Sequence, residues 1–155
     1  MSLVLALGSN LGDRMQNLKN AMLELSKDFD LIKVSSIYES VPVDYLDQPL
    51  FLNCVAEFKL PNYDPEQVLD MVNAIENKLG RQRQIDKGPR TIDIDIIFLD
   101  DLTIDLPRLK VPHPRWRERS FVVLPLKELP FYSNLARMVD VPKSFEKGSQ
   151  IYSPE

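Results

Sequence analysis

Asp93 and Asp95 stand two positions apart in RTIDIDIIFLDD (residues 90–101), a run otherwise rich in isoleucine. An alternating strand there puts Ile92, Ile94, Ile96 and Phe98 on one face and Thr91, Asp93, Asp95 and Ile97 on the other. The two acids then lie about 6–7 Å apart along the backbone. With roughly 5 Å between charges and an effective dielectric near 20, they repel by about 3 kcal/mol. Something cationic must offset this. Seven of the nine arginines (Arg81, Arg83, Arg90, Arg108, Arg115, Arg117, Arg119) fall between positions 81 and 119, the interval that holds the acids. Two readings stand on these residues alone. One is a structural Asp–Arg network; the other is a seat for divalent cations under a phosphate chain, with arginines neutralising the rest. Magnesium takes one or two carboxylates and fills its octahedron with water and phosphate oxygens, and two ions about 3.5–4 Å apart can share both acids.

Other polar groups fit the second reading. His113, the only histidine, sits between prolines among arginines and suits a hydrogen bond to a phosphate oxygen. In FLNCVAEFKL (51–60), Leu52, Cys54, Ala56, Phe58 and Leu60 form one face, so Phe51 and Asn53 point the other way. Phe51 either packs under a helix or stacks on a flat heterocycle, and Phe121 carries the same ambiguity. The segment Gly8–Asp13 matches neither G-x-x-x-x-G-K-[ST] nor G-x-G-x-x-G and reads as a tight turn plus helix N-cap in preference to a direct phosphate contact.

These residues need elements to hold them. LVLAL (3–7) reads as a buried strand, and Leu18, Met22, Leu25 and Phe29 mark a helix after it. Residues 33–39 are strand-like, and 40–50 form a loop. Asp64-Pro65-Glu66-Gln67 opens a helix with a first-turn proline and a D-x-x-Q capping box, its inner face Val68, Met71, Val72, Ile75 and Leu79; Gly80 ends it. The stretch 81–89 is a second loop, and it and 40–50 are expected to close over bound substrates. Past the strand at 91–98, Asp100-Asp101 is read as the turn of a hairpin with 102–106, and 115–124 as a helix. The last fifteen residues read as a weakly anchored tail. The order β-α-β-β-α-β predicts an α+β, ferredoxin-like fold: a mainly antiparallel sheet flanked by helices in α-β-α layers.

A chain of 155 residues suits one domain with a sizeable core. The net charge of −4 argues against general nucleic-acid binding. The start, MSLVLALGSN, reads as neither signal peptide nor membrane span. A lone Cys54 suits a reducing compartment, so a cytoplasmic protein that binds no membrane is expected.

The motifs GSNLGDR (8–14), DQPLFLN (47–53), GRQR (80–83), GPRTIDIDI (88–96), VPHPR (111–115) and ERSFVVLPL (118–126) run in order along the chain. Together they closely resemble the 6-hydroxymethyl-7,8-dihydropterin pyrophosphokinases of folate biosynthesis, over residues 2 to about 130. The resemblance implies ATP as cosubstrate, two Mg2+ ions, transfer of the terminal pyrophosphate and release of AMP. It implies that Asp93 and Asp95 hold the metal, and that Arg81 and Arg90 act with them in catalysis. Arg81, Arg83, Arg90, Arg108, His113, Arg119, Asn73 and Glu76 would bind ATP. The pterin would stack between Phe51 and Phe121, with Asn53, Ser40, Val41 and Val43 along its edge. Residues 1–155 would form a single pyrophosphokinase domain, a monomer acting on small molecules. Two positions depart from the family pattern: Lys87 stands where an aromatic residue often precedes G-P-R, and Pro114 follows His113. The nearest rival enzyme is a nucleotidyltransferase with a D-x-D metal site, but there G-S and D-x-D lie close together. Here more than eighty residues separate them. A ferredoxin-like RNA-binding module is disfavoured by the acidic balance and the aspartate pair.

Overall fold

The computed structural model describes residues 1–42, 47–80 and 91–153. Among them, eight strands and four α-helices run in the order β1 (Ser2–Ser9), α1 (Arg14–Asp28), β2 (Leu31–Val34), β3 (Tyr38–Ser40), β4 (Phe51–Lys59), α2 (Pro65–Lys78), β5 (Asp93–Leu99), β6 (Ile104–Asp105), β7 (Lys110–Val111), α3 (Ser120–Leu126), α4 (Phe131–Met138) and β8 (Ser149–Ile151). The main sheet is antiparallel, in the order β5-β1-β4-β3-β8, with β2 also on β4; β6 and β7 form a separate ribbon. This is the expected ferredoxin-like α+β architecture.

Strand alternation gives the sheet two buried faces. Leu3, Leu5 and Leu7 of β1, Leu52, Cys54, Ala56 and Phe58 of β4, and Ile94 and Ile96 of β5 pack with Leu18, Ala21 and Leu25 of α1 and with Val68, Val72 and Ile75 of α2. Each of the Leu, Ile, Val and Phe side chains removed from water stabilises the fold by about 1.5–3 kcal/mol. Val4, Ala6, Val55, Ile97 and Phe98 line the opposite face under Trp116, α3 and α4. Burial pushes the Cys54 thiol up to about 12. The capping box of α2 forms as expected, Gln67 Oε1 accepting the Asp64 N–H at 2.9 Å. Gly80 follows the helix at φ +83°, where a side chain would be strained.

Four local expectations need correction. Phe98 joins Ile97 on the second face, because Leu5 pairs with Ile96 but Val4 with Phe98, leaving Ile97 as a bulge. Residues 33–39 break into two strands at Ser35. Its Oγ accepts the Val55 N–H at 3.0 Å while its own N–H donates to Val55 O at 2.9 Å, so a side chain replaces part of the ladder. Residues 102–106 make no hairpin with β5; β6 pairs instead with β7. Within 115–124, a 3-10 turn (Trp116–Glu118) precedes α3, with Arg119 extended at the junction.

The tail also differs from expectation. β8 pairs with β3 along Tyr38↔Ile151, Glu39↔Gln150 and Ser40↔Ser149. At the other end of α3, Glu128 accepts the Tyr38 hydroxyl at 2.5 Å and, through its second oxygen, the Ser36 N–H at 2.8 Å and hydroxyl at 2.9 Å. The helical layer is thereby pinned to the β2–β3 connection.

Candidate active site

The pairing register builds the site's floor. Gly8 of β1 stands opposite Asn53 of β4 on one side and Asp93 of β5 on the other; Ala6 likewise lies between Val55 and Asp95. Two of the smallest side chains thus separate the amide side of the sheet from the acidic side and leave open space above β1. A methyl group on Gly8 would come within 3.0 Å of Asn53 Nδ2 and 3.4 Å of the Phe51 ring. The resulting cleft has a volume of about 490 Å³.

Asn53 has a fixed orientation. Its Oδ1 accepts the Ser40 hydroxyl at 2.6 Å, which leaves the NH2 end as the donor toward Gly8 and the cleft. Asn10, only 2 % exposed, holds the neighbouring loop by donating from Nδ2 to Gln48 Oε1 at 2.9 Å and to Pro49 O at 3.0 Å. Phe51 and Phe121 both line the cleft, from β4 and α3.

On the acidic side, β5 is the outer strand of the sheet. Glu76 of α2, 2 % exposed, covers that edge: its Oε2 accepts the Ile94 N–H at 2.7 Å, between the two aspartates. Such a bond fixes the backbone that aims Asp93 and Asp95. The Ile97 bulge positions the next group, its carbonyl accepting the His113 N–H at 2.9 Å. His113 Nδ1 accepts the Arg115 N–H at 3.1 Å, so the ring carries its proton on Nε2. Burial first, then the nearby Arg119 and Arg115 charges, push its pKa down to about 4 against a smaller opposing effect of Asp93. At neutral pH, His113 is therefore an uncharged N–H donor.

Arg119, at the extended junction before α3, reaches Asp95 at 3.6 Å and lies 5.6 Å from the Phe121 ring centre. Its Nε is buried and has no hydrogen-bond partner among the described residues. A buried guanidinium N–H in this state suits an incoming anion. Arg108 reaches the cleft from the β6–β7 ribbon and pairs with Asp70, and at 3.6 Å with Glu66, on α2. Arg117 acts elsewhere, stacking on Trp116 at 4.7 Å, while Arg115, 3.7 Å from Glu118, bears on the site through its N–H and charge at His113.

Of the sequence-predicted residues, Asn73, Glu76, Asp93, Asp95, Arg108, His113, Arg119, Ser40, Val41, Phe51, Asn53 and Phe121 all border this cleft. Val43, Arg81, Arg83, Arg90 and Lys87 lie outside the described residues. Gly8, Gln48 and Lys110 also line the cleft, and sequence reasoning missed them. Asp13 does cap α1, accepting the Gln16 N–H at 3.1 Å, but Gly8 belongs to β1 rather than to the turn. Its position opposite Asp93 becomes visible only once strand register is known.

Acids with cationic and donor groups gathered beside them on one side of the cleft suit a ligand that is polyanionic and carries bound cations. On a ferredoxin-like sheet, that defines the class of nucleotide-dependent phosphoryl-group transferases. The family model for 7,8-dihydro-6-hydroxymethylpterin-pyrophosphokinase (HPPK) matches residues 4–130. A 2-amino-4-hydroxy-6-hydroxymethyldihydropteridine pyrophosphokinase of Bacillus subtilis (strain 168) is 46% identical over 127 residues, covering 81% of this chain and 75% of that protein. One from Pseudomonas aeruginosa is 42% identical over 126 residues, covering 80% and 77%. Among solved structures, a Plasmodium falciparum HPPK-DHPS triple mutant with STZ-DHP superposes with a TM-score of 0.64 at 17% identity, over 90% of this chain and 44% of that one. This last likeness bears on the fold alone. The chain belongs to the 7,8-dihydro-6-hydroxymethylpterin-pyrophosphokinase family, an ATP-dependent group of folate biosynthesis, and the nucleotidyltransferase alternative is not favoured.

Proposed function

We propose that the cleft joins 6-hydroxymethyl-7,8-dihydropterin to the terminal pyrophosphate of ATP, with AMP as the leaving group. The observation that carries this reading is the register at Gly8, which places a fixed amide and an acid pair on opposite sides of one open floor. The pterin would lie between Phe51 and Phe121, its edge read by Asn53, Ser40, Val41 and Val43. ATP would lie over Asn73, Glu76, Arg108, His113 and Arg119, with Arg81, Arg83 and Arg90 completing the clamp.

Asp93 and Asp95 offer hard oxygen donors on one face, and no group of three or more His, Cys, Asp or Glu able to hold a metal occurs among the described residues. Two carboxylates completed by water and phosphate oxygens suit Mg2+ rather than zinc. We assign both acids to two such ions, which when bound neutralise phosphate charge and acidify the acceptor hydroxyl. The chain's own groups then have separate tasks. Glu76 keeps the aspartates aimed. Arg119 and Arg108 offset charge as it moves to the leaving phosphate. His113 donates from Nε2 and is no general base, because the Arg115 N–H occupies Nδ1. The chemistry rests on positioning and electrostatics.

Among the described residues, no helix is long and apolar enough to cross a membrane. On this reading the chain works as a cytoplasmic monomer on small molecules, with residues 1–155 forming one pyrophosphokinase domain. Incubation with ATP, Mg2+ and the hydroxymethylpterin, followed by nucleotide chromatography, tests the proposal. AMP is expected. ADP would indicate a kinase, and free pyrophosphate a nucleotidyltransferase.

A further inference from the structure

The family match ends at residue 130, so α4 and β8 lie beyond it. β8 nevertheless touches both walls of the aromatic slot. Ser149 stands opposite Ser40 in the β3–β8 ladder, and Ser40 holds Asn53. Ser149 also meets Ser120, the first residue of α3, with 2.7 Å between the hydroxyl oxygens. Ser120 is 2 % exposed and gives its own proton to Lys147 O at 2.7 Å, so Ser149 donates in the serine pair. Ser120 lies between Arg119 and Phe121 in the chain. One residue of the tail is therefore bonded to the helix end that carries one ring and paired with the strand that orients the amide.

Neighbouring contacts brace this junction. Tyr152 N donates to Ile37 O at 2.8 Å, and Arg14 pairs with Glu39 at 2.8 Å while lying 5.7 Å from the Tyr152 ring centre. β3 is only three residues long. A strand that short is marginal with one edge uncovered.

We propose that Ser149 is a positioning residue that sets the gap between Phe121 and the Asn53 side of the slot, and so governs affinity for the flat heterocyclic substrate rather than for the nucleotide. This rests on the pyrophosphokinase reading above. The test uses the full chain and three variants, Ser149→Ala, Ser149→Thr and Ser120→Ala. AMP formation is followed while each substrate is varied in turn, and thermal unfolding is recorded alongside. Ser149→Ala should raise KM for the hydroxymethylpterin about tenfold and leave KM for ATP within about twofold, the loss of one well-placed hydrogen bond. Ser149→Thr, which keeps the hydroxyl, should restore the native KM, and Ser120→Ala should reproduce the alanine defect from the other side of the pair. An unchanged pterin KM in both alanine variants overturns the inference. So does a parallel rise in both KM values that tracks a lowered melting temperature. A native chain that makes no AMP refutes the pyrophosphokinase reading and this inference with it, whereas an active native chain with unaffected variants refutes the positioning role alone.

Discussion

Replacing Gly8 by alanine probes the floor of the cleft with one methyl group. Gly8 has no positive φ, unlike Gly12 and Gly80, so the backbone accepts alanine and the effect is steric. The new carbon would stand 3.0 Å from Asn53 Nδ2 and 3.4 Å from Phe51 Cδ1. Carbon against an amide nitrogen settles near 3.5 Å, so about half an ångström has to be absorbed. The Phe51 ring can give a little, but Asn53 cannot: it is 5 % exposed and its Oδ1 is held by the Ser40 hydroxyl at 2.6 Å. Overpacking costs about 1–3 kcal/mol, and swinging the amide away forfeits a hydrogen bond worth about 1 kcal/mol. If roughly 1.5–3 kcal/mol of this falls on pterin binding, KM for the hydroxymethylpterin rises about ten- to hundredfold. In the proposed reading ATP lies over the acidic side of the floor, so its KM should hold. The assay is AMP release with each substrate varied, on protein whose circular dichroism matches the native chain. A pterin KM within about threefold of native, or a rise shared equally by ATP, would show that the amide does not face the pterin.

Two other perturbations address the acidic rim. Asp95→Ala should lose most of kcat while the fold and pterin affinity stay nearly native; a variant retaining more than about a tenth of native activity, a loss under about 1.4 kcal/mol, contradicts the metal role. His113 carries a pH signature. Its pKa is about 4 in the fold against an ordinary 6.5, so the unfolded chain binds the extra proton and stability falls as pH drops from about 6.5 toward 4. Allowing for solvent screening at a partly exposed ring, the loss is roughly 1–2 kcal/mol. Urea titrations of His113→Asn should show that slope flattened, and an unaltered slope would place the sensitivity elsewhere.

Local patterns carried much of the fold in the sequence. The alternation around Asp93 and Asp95, the apolar face of Leu52 to Phe58 and the Asp64–Gln67 box are readable because each depends on neighbours within a few residues. Several features depend on partners far along the chain and were not readable. The Ile97 bulge is defined only against Val4 and Leu5. Ser35 breaks its strand because its hydroxyl meets the backbone of Val55. The polar tail docks because β3 offers an open edge to β8. Gly8 was mistaken for part of a turn for the same reason, since its role comes from Asn53 and Asp93 beside it. Charge types were legible but their pairing was not: Arg119 and Arg117 look alike in sequence, yet one enters the cleft and the other lies on Trp116.

The lone thiol in β4 gives this enzyme a built-in reporter of breathing motions. Cys54 is 1 % exposed, and burial holds its thiol far above the ordinary range, so the folded chain carries almost none of the reactive thiolate at pH 8. Because its side chain lies on the sheet face packed against α1 and α2, fraying at a sheet edge cannot uncover it. An alkylating reagent must wait until that helical layer lifts from the sheet, so its labelling rate measures the free energy of that opening.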